Sequence, residues 1–122
     1  MDKATAVGSP ECTGILNAVS DSLYVIGGKW KLHVIAALRE GNKRFNEIQR
    51  AIDGISAKVL SNELKELELN GFVKRVVHAQ TPVIVEYQIT KYADTLEEVF
   101  LALANWGTMH RDKIRKERSS NF

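Results

Sequence analysis

Hydrophobic residues in the first half of the chain recur at intervals of three and four, the spacing of one face of an α-helix. Ile15, Val19, Leu23 and Ile26 predict a helix over residues 15–26, and two consecutive glycines end it. Similar stripes predict three more helices, over residues 30–40, 44–51 and 57–70.

The periodicity changes after Gly71, where short runs of β-branched residues replace the helical spacing. Residues 72–77 and 83–89 predict two strands, and the polar segment between them predicts the turn of a β-hairpin. The helical spacing then returns and predicts a long final helix, which begins near residues 91–94 and ends near residue 116.

This order of elements is typical of a winged helix-turn-helix. The third helix, a tight turn and the fourth helix form the helix-turn-helix, and the hairpin is the wing. We therefore predict a mainly α fold (α+β) with a two-stranded β-wing and flanking N- and C-terminal helices that form a homodimer. The expected organisation is a flexible leader over residues 1–11, one domain over 12–110 and a basic C-terminal tail over 111–122.

Length and composition narrow the class of protein. The 122 residues suffice for one domain, and the hydrophobic fraction of 44% excludes a disordered chain. Apolar runs are much shorter than the roughly 20 residues of a membrane helix, and the first residues do not resemble a signal peptide. We therefore expect a cytoplasmic protein with no membrane partner. The net charge of +2 is a weak signal, but residues 111–118 are locally basic.

The polar face of the predicted fourth helix has residue types that read DNA. Lys58, Ser61, Asn62 and Lys65 fall at i, i+3, i+4 and i+7, opposite a stripe of leucines. Lysine donates to guanine or phosphate, asparagine pairs with adenine, and serine donates or accepts. Ser56 is placed to cap this helix, whose N-terminus also attracts phosphate. A solvated helix face is the alternative, but the predicted turn and hairpin favour DNA.

Further polar residues on either side of this helix are candidates for contacts with the DNA backbone. A wing reaches phosphates or a minor groove, and a basic pair before the third helix can anchor a phosphate. These candidates are Lys43, Arg44, Arg75, His78, Gln80 and Thr81. For each of them a plain surface role is the alternative interpretation.

The terminal helices have more apolar surface than one small winged core can cover. The residues that we expect to cover it in a homodimer are Ile15, Val19, Leu96, Val99, Phe100, Leu103 and Trp106. A two-fold axis would then place two recognition helices about 34 Å apart, which is one turn of DNA. The predicted partner is therefore double-stranded DNA with an inverted repeat.

Cys12 is the single cysteine, so it forms no disulfide within the chain. It lies just ahead of the first predicted helix, where the field of the helix N-terminus favours a thiolate. A redox or electrophile sensor and a small structural residue are both open interpretations of Cys12.

The residues give little support to an enzyme. His33, His78 and His110 have no metal-ligand spacing with one another or with Cys12, and no glycine-rich phosphate loop follows a strand. We expect no catalytic activity, no metal and no cofactor. A winged-helix module that binds another protein and no DNA is the alternative function.

A series of motifs, in order along the chain, resembles those of HxlR-type transcription regulators, which are related to the MarR regulators. The first is Val-Ile-Gly-Gly-Lys-Trp-Lys-Leu at residues 25–32. The others lie at residues 44–48, 54–60, 64–71, 82–90 and 106–107. The similarity extends over about residues 12–110, and many motifs in one register are highly specific.

This resemblance implies a winged helix-turn-helix homodimer that binds specific DNA sequences and represses or activates nearby genes. It also implies that the face with Lys58, Ser61, Asn62 and Lys65 enters the major groove, and Cys12 matches a cysteine that some members use to sense oxidants or electrophiles. The chain departs from the family at residues 92–93, where Tyr-Ala replaces the usual Leu-Gly. No residue set identifies an effector.

Overall fold

The computed structural model describes residues 10–120, which form five α-helices, a 3-10 helix and one hairpin. The α-helices are α1 (Pro10–Ile26), α2 (Lys31–Arg39), α3 (Phe45–Ala51), α4 (Ala57–Leu69) and α5 (Glu97–Ser120). The strands are β1 (Val73–His78) and β2 (Ile84–Ile89), and the 3-10 helix spans Lys91–Leu96. The predicted winged helix-turn-helix is confirmed.

The core lies where α2, α3, α4 and the hairpin meet. The three leucines of the predicted stripe, Leu60, Leu64 and Leu67, are almost completely buried. They pack with apolar residues from the neighbouring helices, including Val34 of α2 and Ile48 of α3, which have no exposed surface. The helix-turn-helix is therefore held by side chains from three helices rather than by the turn alone.

Local sequence signals determine the residue at which α4 begins. Gly54 in the preceding turn has a φ of +86°, a conformation that L side chains rarely adopt. Ser56 then caps the helix, because its Oγ accepts a hydrogen bond of 3.1 Å from the backbone N–H of Val59. The predicted cap is confirmed, and α4 begins directly after it.

The hairpin is antiparallel, with Val73 opposite Ile89 and His78 opposite Ile84. Its outer edge is tied to the loop before α3, since the N–H of Tyr87 donates to the carbonyl of Lys43 over 2.8 Å. The wing is consequently attached through β2 to the loop that precedes α3.

Both terminal helices differ from the predicted boundaries. Helix α1 begins at Pro10, so residues 10 and 11 of the predicted leader are helical, in keeping with the preference of proline for a first helical turn. Residues 1–9 of that leader lie outside the described residues. The segment predicted as a basic tail is helical through Ser120, because no glycine or proline interrupts it and Lys113 pairs with Glu117 one turn away.

The final helix also has an irregular start where the chain departs from the family motif. Residues 91–96 form a 3-10 helix in which Ala93 is completely buried. The ring of Tyr92 stacks on Phe72 with centroids 5.2 Å apart. Arg39 of α2 donates to the carbonyl of Ala93 and pairs with Asp94. These contacts join the start of α5 to the winged core.

Candidate nucleic-acid interface

Helix α4 presents the predicted polar face to solvent. Lys58, Asn62 and Lys65 are exposed and Ser61 is half-buried, on the side opposite the buried leucines. A helix about 20 Å long with this exposure fits a major groove, which admits one α-helix. The face therefore has both the side chains and the access that base contacts require.

The cations beside this face are not neutralised by acids of the chain. Among residues 10–120, neither Lys58 nor Lys65 of α4 nor Arg75 of β1 takes part in an ion pair. Positive charge that is not paired within the protein is available to phosphates, and it produces salt-dependent binding.

Acids on α4 are instead held by a lysine that sequence reasoning did not single out. The Nζ of Lys31 lies 2.8 Å from Glu63 Oε1 and 2.9 Å from Glu66 Oε1, and only 10% of its side chain is exposed. Lys31 belongs to the motif at residues 25–32, but nothing in the sequence shows which acids it meets. The contact anchors α4 to α2, and its single positive charge offsets part of the negative charge of two carboxylates close to the polar face.

The protonation of Lys31 follows from these contacts. Burial is the largest single influence and disfavours the charged form, but hydrogen bonds and attraction from Glu63 and Glu66 together outweigh it. The pKa of Lys31 is therefore raised above its ordinary value of 10.5. Lys31 remains a cation throughout the physiological range.

A groove between α4 and the hairpin brings several predicted residues together. Ser61 and Lys65 line one wall of it, and Arg75 and Tyr87, which lie opposite each other in the hairpin, line the other. Glu68 lies at the same groove. The groove therefore brings two basic side chains, Lys65 and Arg75, together with Ser61 and one acid, although α4 and β1 are separate elements.

The basic pair before α3 is held by Glu47. Its Oε1 accepts hydrogen bonds of 3.0 Å from the backbone N–H groups of Lys43 and Arg44. These backbone donors lower the pKa of Glu47 below 4.5, and attraction to Arg44 and Arg50 adds to them. The side chains of Lys43 and Arg44 remain exposed next to the wing.

The predicted residues at the hairpin tip differ in how accessible they are to DNA. Gln80 and Thr81 are exposed. The Nε2 of His78, however, lies 2.8 Å from Glu86 Oε1, on the neighbouring strand. One ring nitrogen of His78 is thus occupied by a carboxylate, so His78 has less freedom to meet DNA than its sequence position suggests.

All the predicted dimer residues except Leu96, the last residue of the 3-10 helix, lie on the two terminal helices, and most of them are exposed. Ile15 and Val19 of α1 and Val99, Phe100 and Leu103 of α5 each expose at least 40% of their surface. The most exposed of the predicted set is Trp106, at 60%. Leu96 is the exception, since it is half-buried against the core. On α1 and α5, the large exposed hydrophobic residues that were not predicted for this surface are Leu16, Leu23, Tyr24, Leu101 and Met109.

An apolar cleft of about 230 Å³ lies where α5 leaves the core. Ile35 of α2 and Phe100 of α5 face each other across it, and the paired Arg39 and Glu97 line it as well. The cleft is therefore continuous with the exposed apolar stripe of α5. Cys12 is half-buried in the first turns of α1.

Neither a metal-binding group nor a membrane-spanning helix is found in the described part of the chain. No group of three or more histidine, cysteine, aspartate or glutamate residues within residues 10–120 has the arrangement to hold a metal ion. In the same residues, none of the helices combines the length and apolar character needed to cross a membrane.

The fold and the exposed face of α4 define a winged helix-turn-helix transcriptional regulator. A family model described as HxlR-like helix-turn-helix matches residues 25–115, and the chain belongs to this family. It is 41% identical over 104 residues to the HTH-type transcriptional regulator YybR of Bacillus subtilis (strain 168), covering 85% of this chain and 83% of that protein.

Solved structures agree with this assignment. The crystal structure of an HTH-type transcriptional regulator, ytcD, has a TM-score of 0.72 and 39% identity, and covers 77% of this chain and 96% of that one. The redox regulator HypR in its reduced form also has a TM-score of 0.72, with 40% identity over 81% of this chain and 98% of that one. These relatives are regulators rather than enzymes.

Proposed function

We propose that this regulator binds double-stranded DNA as a homodimer on an inverted repeat, with α4 in the major groove. The observation that carries the proposal is the exposed face of α4, whose lysines have no ion-pair partner among residues 10–120. Asn62 and Ser61 add hydrogen-bonding groups to the same face, which suits base contacts.

The surroundings of α4 supply backbone contacts. Arg75 and Lys65 line one groove, and the exposed Lys43 and Arg44 precede α3 beside the wing. Contacts of these kinds fix the position of a protein on a duplex without reading sequence. Gln80 and Thr81 extend the surface at the hairpin tip. Ser56, the N-cap of α4, is exposed, so the N-terminus of α4 is accessible to a phosphate.

The homodimer is supported by the terminal helices. Apolar side chains on α1 and α5 remain exposed over several turns, and a second copy would remove them from water. Two-fold symmetry would present two α4 helices to adjacent major grooves of an inverted repeat, about 34 Å apart.

Selection of bound sequences from random duplexes, followed by a salt titration of the best one, tests the proposal. We expect an enriched inverted repeat and a steep fall in affinity with rising salt. A folded dimer with no enriched sequence and no salt-dependent affinity would instead support a protein-binding winged-helix module.

A thiol response through Cys12 is a second proposal. Cys12 lies in the first turns of α1, and the relative HypR is a redox regulator whose oxidised and reduced forms are both known. We expect a thiol oxidant to change the affinity for the selected duplex in the wild type and not in Cys12→Ser. Equal changes in both proteins would place the response elsewhere, and no change in either would leave Cys12 a structural residue.

A further inference from the structure

Helix α4, which we propose to enter the major groove, has more acidic than basic residues. Its 13 residues include two lysines and three glutamates, so the formal charge of the helix is −1. A helix in the major groove lies between two rows of phosphates, and a carboxylate that faces them opposes binding. The affinity that the lysines supply therefore depends on where the three acids are held.

The three glutamates of α4 differ in their surroundings. Glu63 lies against α2, and only 14% of its side chain is exposed. Glu66 follows Asn62 by one turn, so it borders the polar face, and 55% of its side chain is exposed. Glu68 is exposed at the groove beside the wing, together with two basic residues. Glu66 is thus an acid at the edge of the surface that would meet the bases.

The cation that holds Glu63 and Glu66 comes from another helix. The Nζ of Lys31, on α2, lies between the two carboxylates at 2.8 and 2.9 Å. Only 10% of the Lys31 side chain is exposed, which leaves little of it to contact a duplex directly. An effect of Lys31 on DNA affinity would therefore act through the glutamates, and a partly buried pair of this kind is screened by salt less than a surface pair.

We infer that Lys31 is a positioning residue for DNA binding, which holds the Glu66 carboxylate against α2 and away from the phosphates. The inference rests on the proposed function and adds to it a residue that does not contact DNA. Lys31 also brings the formal charge of α4 and its bridging cation to zero. Without Lys31, the side chain of Glu66 would be free to turn toward the polar face that it borders.

Loss of the Lys31 charge is the first test. Lys31→Met keeps an unbranched side chain and releases both carboxylates. We expect the dissociation constant for the selected duplex to rise about tenfold at low salt. The difference from the wild type should shrink as salt is added, because salt screens the repulsion between an exposed Glu66 and the phosphates. Lys31→Arg keeps a permanent cation and should bind within about threefold of the wild type.

Removal of the acid tests whether Lys31 acts through Glu66. In the Lys31→Met background, Glu66→Gln should recover most of the lost affinity. In the wild type the same substitution should gain less, because that carboxylate is already held against α2. Glu68→Gln is the matched control, since Glu68 is an exposed acid of the same helix outside the Lys31 contact. Its effect should be equal in the two backgrounds.

Two further comparisons separate this role from folding. Ile48→Val shortens a completely buried side chain, so it destabilises the core without a change in charge and should alter DNA affinity by less than about twofold. In the wild-type background, Glu68→Gln should increase affinity more than Glu66→Gln does, and this comparison needs no substitution of Lys31. Circular dichroism at the temperature of the binding assay confirms that each variant is folded.

The outcomes distinguish this inference from the proposed function. A wild-type chain that binds the selected duplex, with a Lys31→Met variant of equal affinity, would overturn the role of Lys31 and leave the DNA-binding regulator in place. A loss in Lys31→Met that Glu66→Gln does not recover, or a gain from Glu66→Gln as large as that from Glu68→Gln in the wild type, would have the same meaning. A wild-type chain without salt-dependent affinity for any duplex would overturn both.

Discussion

The winged core and the two terminal helices differ in how far their apolar side chains are buried within one chain. In the core, α2, α3, α4 and the hairpin bury one another's side chains, and Leu60, Leu64 and Leu67 are almost completely hidden. Helices α1 and α5 also have large apolar side chains but leave Leu23 and Trp106 about 60% exposed. The core is therefore buried within one chain, whereas the apolar side chains of the terminal helices stay exposed and are covered by a second copy only in the proposed homodimer.

This difference in burial assigns the positioning of α4 to the core and the proposed association of two copies to the terminal helices. A self-sufficient core can hold α4 rigid for reading DNA, which is what base contacts require. In the proposed homodimer, the pairing of the terminal helices would set the spacing of the two recognition helices. Substitutions in the two regions should therefore have different consequences.

The largest expected effect is the loss of a core leucine. Leu64→Ala removes a side chain that is 1% exposed and should lower the free energy of unfolding by about 2–5 kcal/mol in urea denaturation. Leu103→Ala on α5 should change it by less than about 0.5 kcal/mol at concentrations where the chain is monomeric. Equal losses in the free energy of unfolding of the two variants would contradict the difference in burial between the core and the terminal helices.

A charge on the exposed stripe should break the dimer without unfolding the core. Phe100→Asp places a carboxylate in the proposed interface and should raise the dimer dissociation constant on the order of a hundredfold. The matched control is Leu69→Asp, because Leu69 of α4 is 86% exposed and lies outside the proposed interface. Sedimentation that shows Phe100→Asp still dimeric would place the interface elsewhere.

The contact of Lys31 with Glu63 and Glu66 should contribute less to the stability of the fold than a core leucine does, and its contribution should depend on pH. Lys31→Met leaves Glu63 and Glu66 without their cation and should cost about 1–3 kcal/mol of stability. The raised pKa of Lys31 means that this contribution is fully present below pH 10.5 and is lost as the pH rises through the higher folded-state pKa.

Denaturation of wild type and Lys31→Met at several pH values checks this prediction. The difference between the two proteins should be constant from pH 7 to about 10 and should shrink at higher pH. A difference that does not change above pH 10.5 would mean that packing of the Lys31 side chain, rather than its charge, stabilises α4.

The last prediction concerns the affinity for DNA, which single lysines at the proposed DNA surface should change without a change in stability. Lys58→Ala should cost about 1–3 kcal/mol on the selected duplex and relax specificity at one position if Lys58 contacts a base. If Lys58 contacts phosphate, binding should weaken evenly and the salt slope should fall by about one. Lys113→Ala on α5 is the control, and a loss as large as that of Lys58→Ala would contradict a role for α4.

The sequence was informative where structure is decided locally. The leucine stripe and the Ser56 cap predict α4 within one residue of its observed ends, because both act within a few turns of one helix. The strands differ by one residue from their predicted ends, and the glycines mark where helices stop.

Contacts between distant elements were not predictable in the same way. Lys31 meets Glu63 across 32 residues, and Arg39 reaches Ala93 across 54, and no periodicity indicates such partners. The pairing of His78 with Glu86 depends on the register of the hairpin, which the sequence pattern left open. For the candidate site, sequence therefore identified the surface residues of α4 but not the contacts that position them.

The stoichiometry of the complex tests the central claim most directly. Sedimentation of the wild-type chain with the selected duplex should show two chains per duplex. Phe100→Asp should bind the same duplex more weakly than the wild type because it loses the contribution of the partner. One wild-type chain per duplex at saturation, or no complex at low salt, would contradict a regulator whose core reads DNA and whose terminal helices pair two copies.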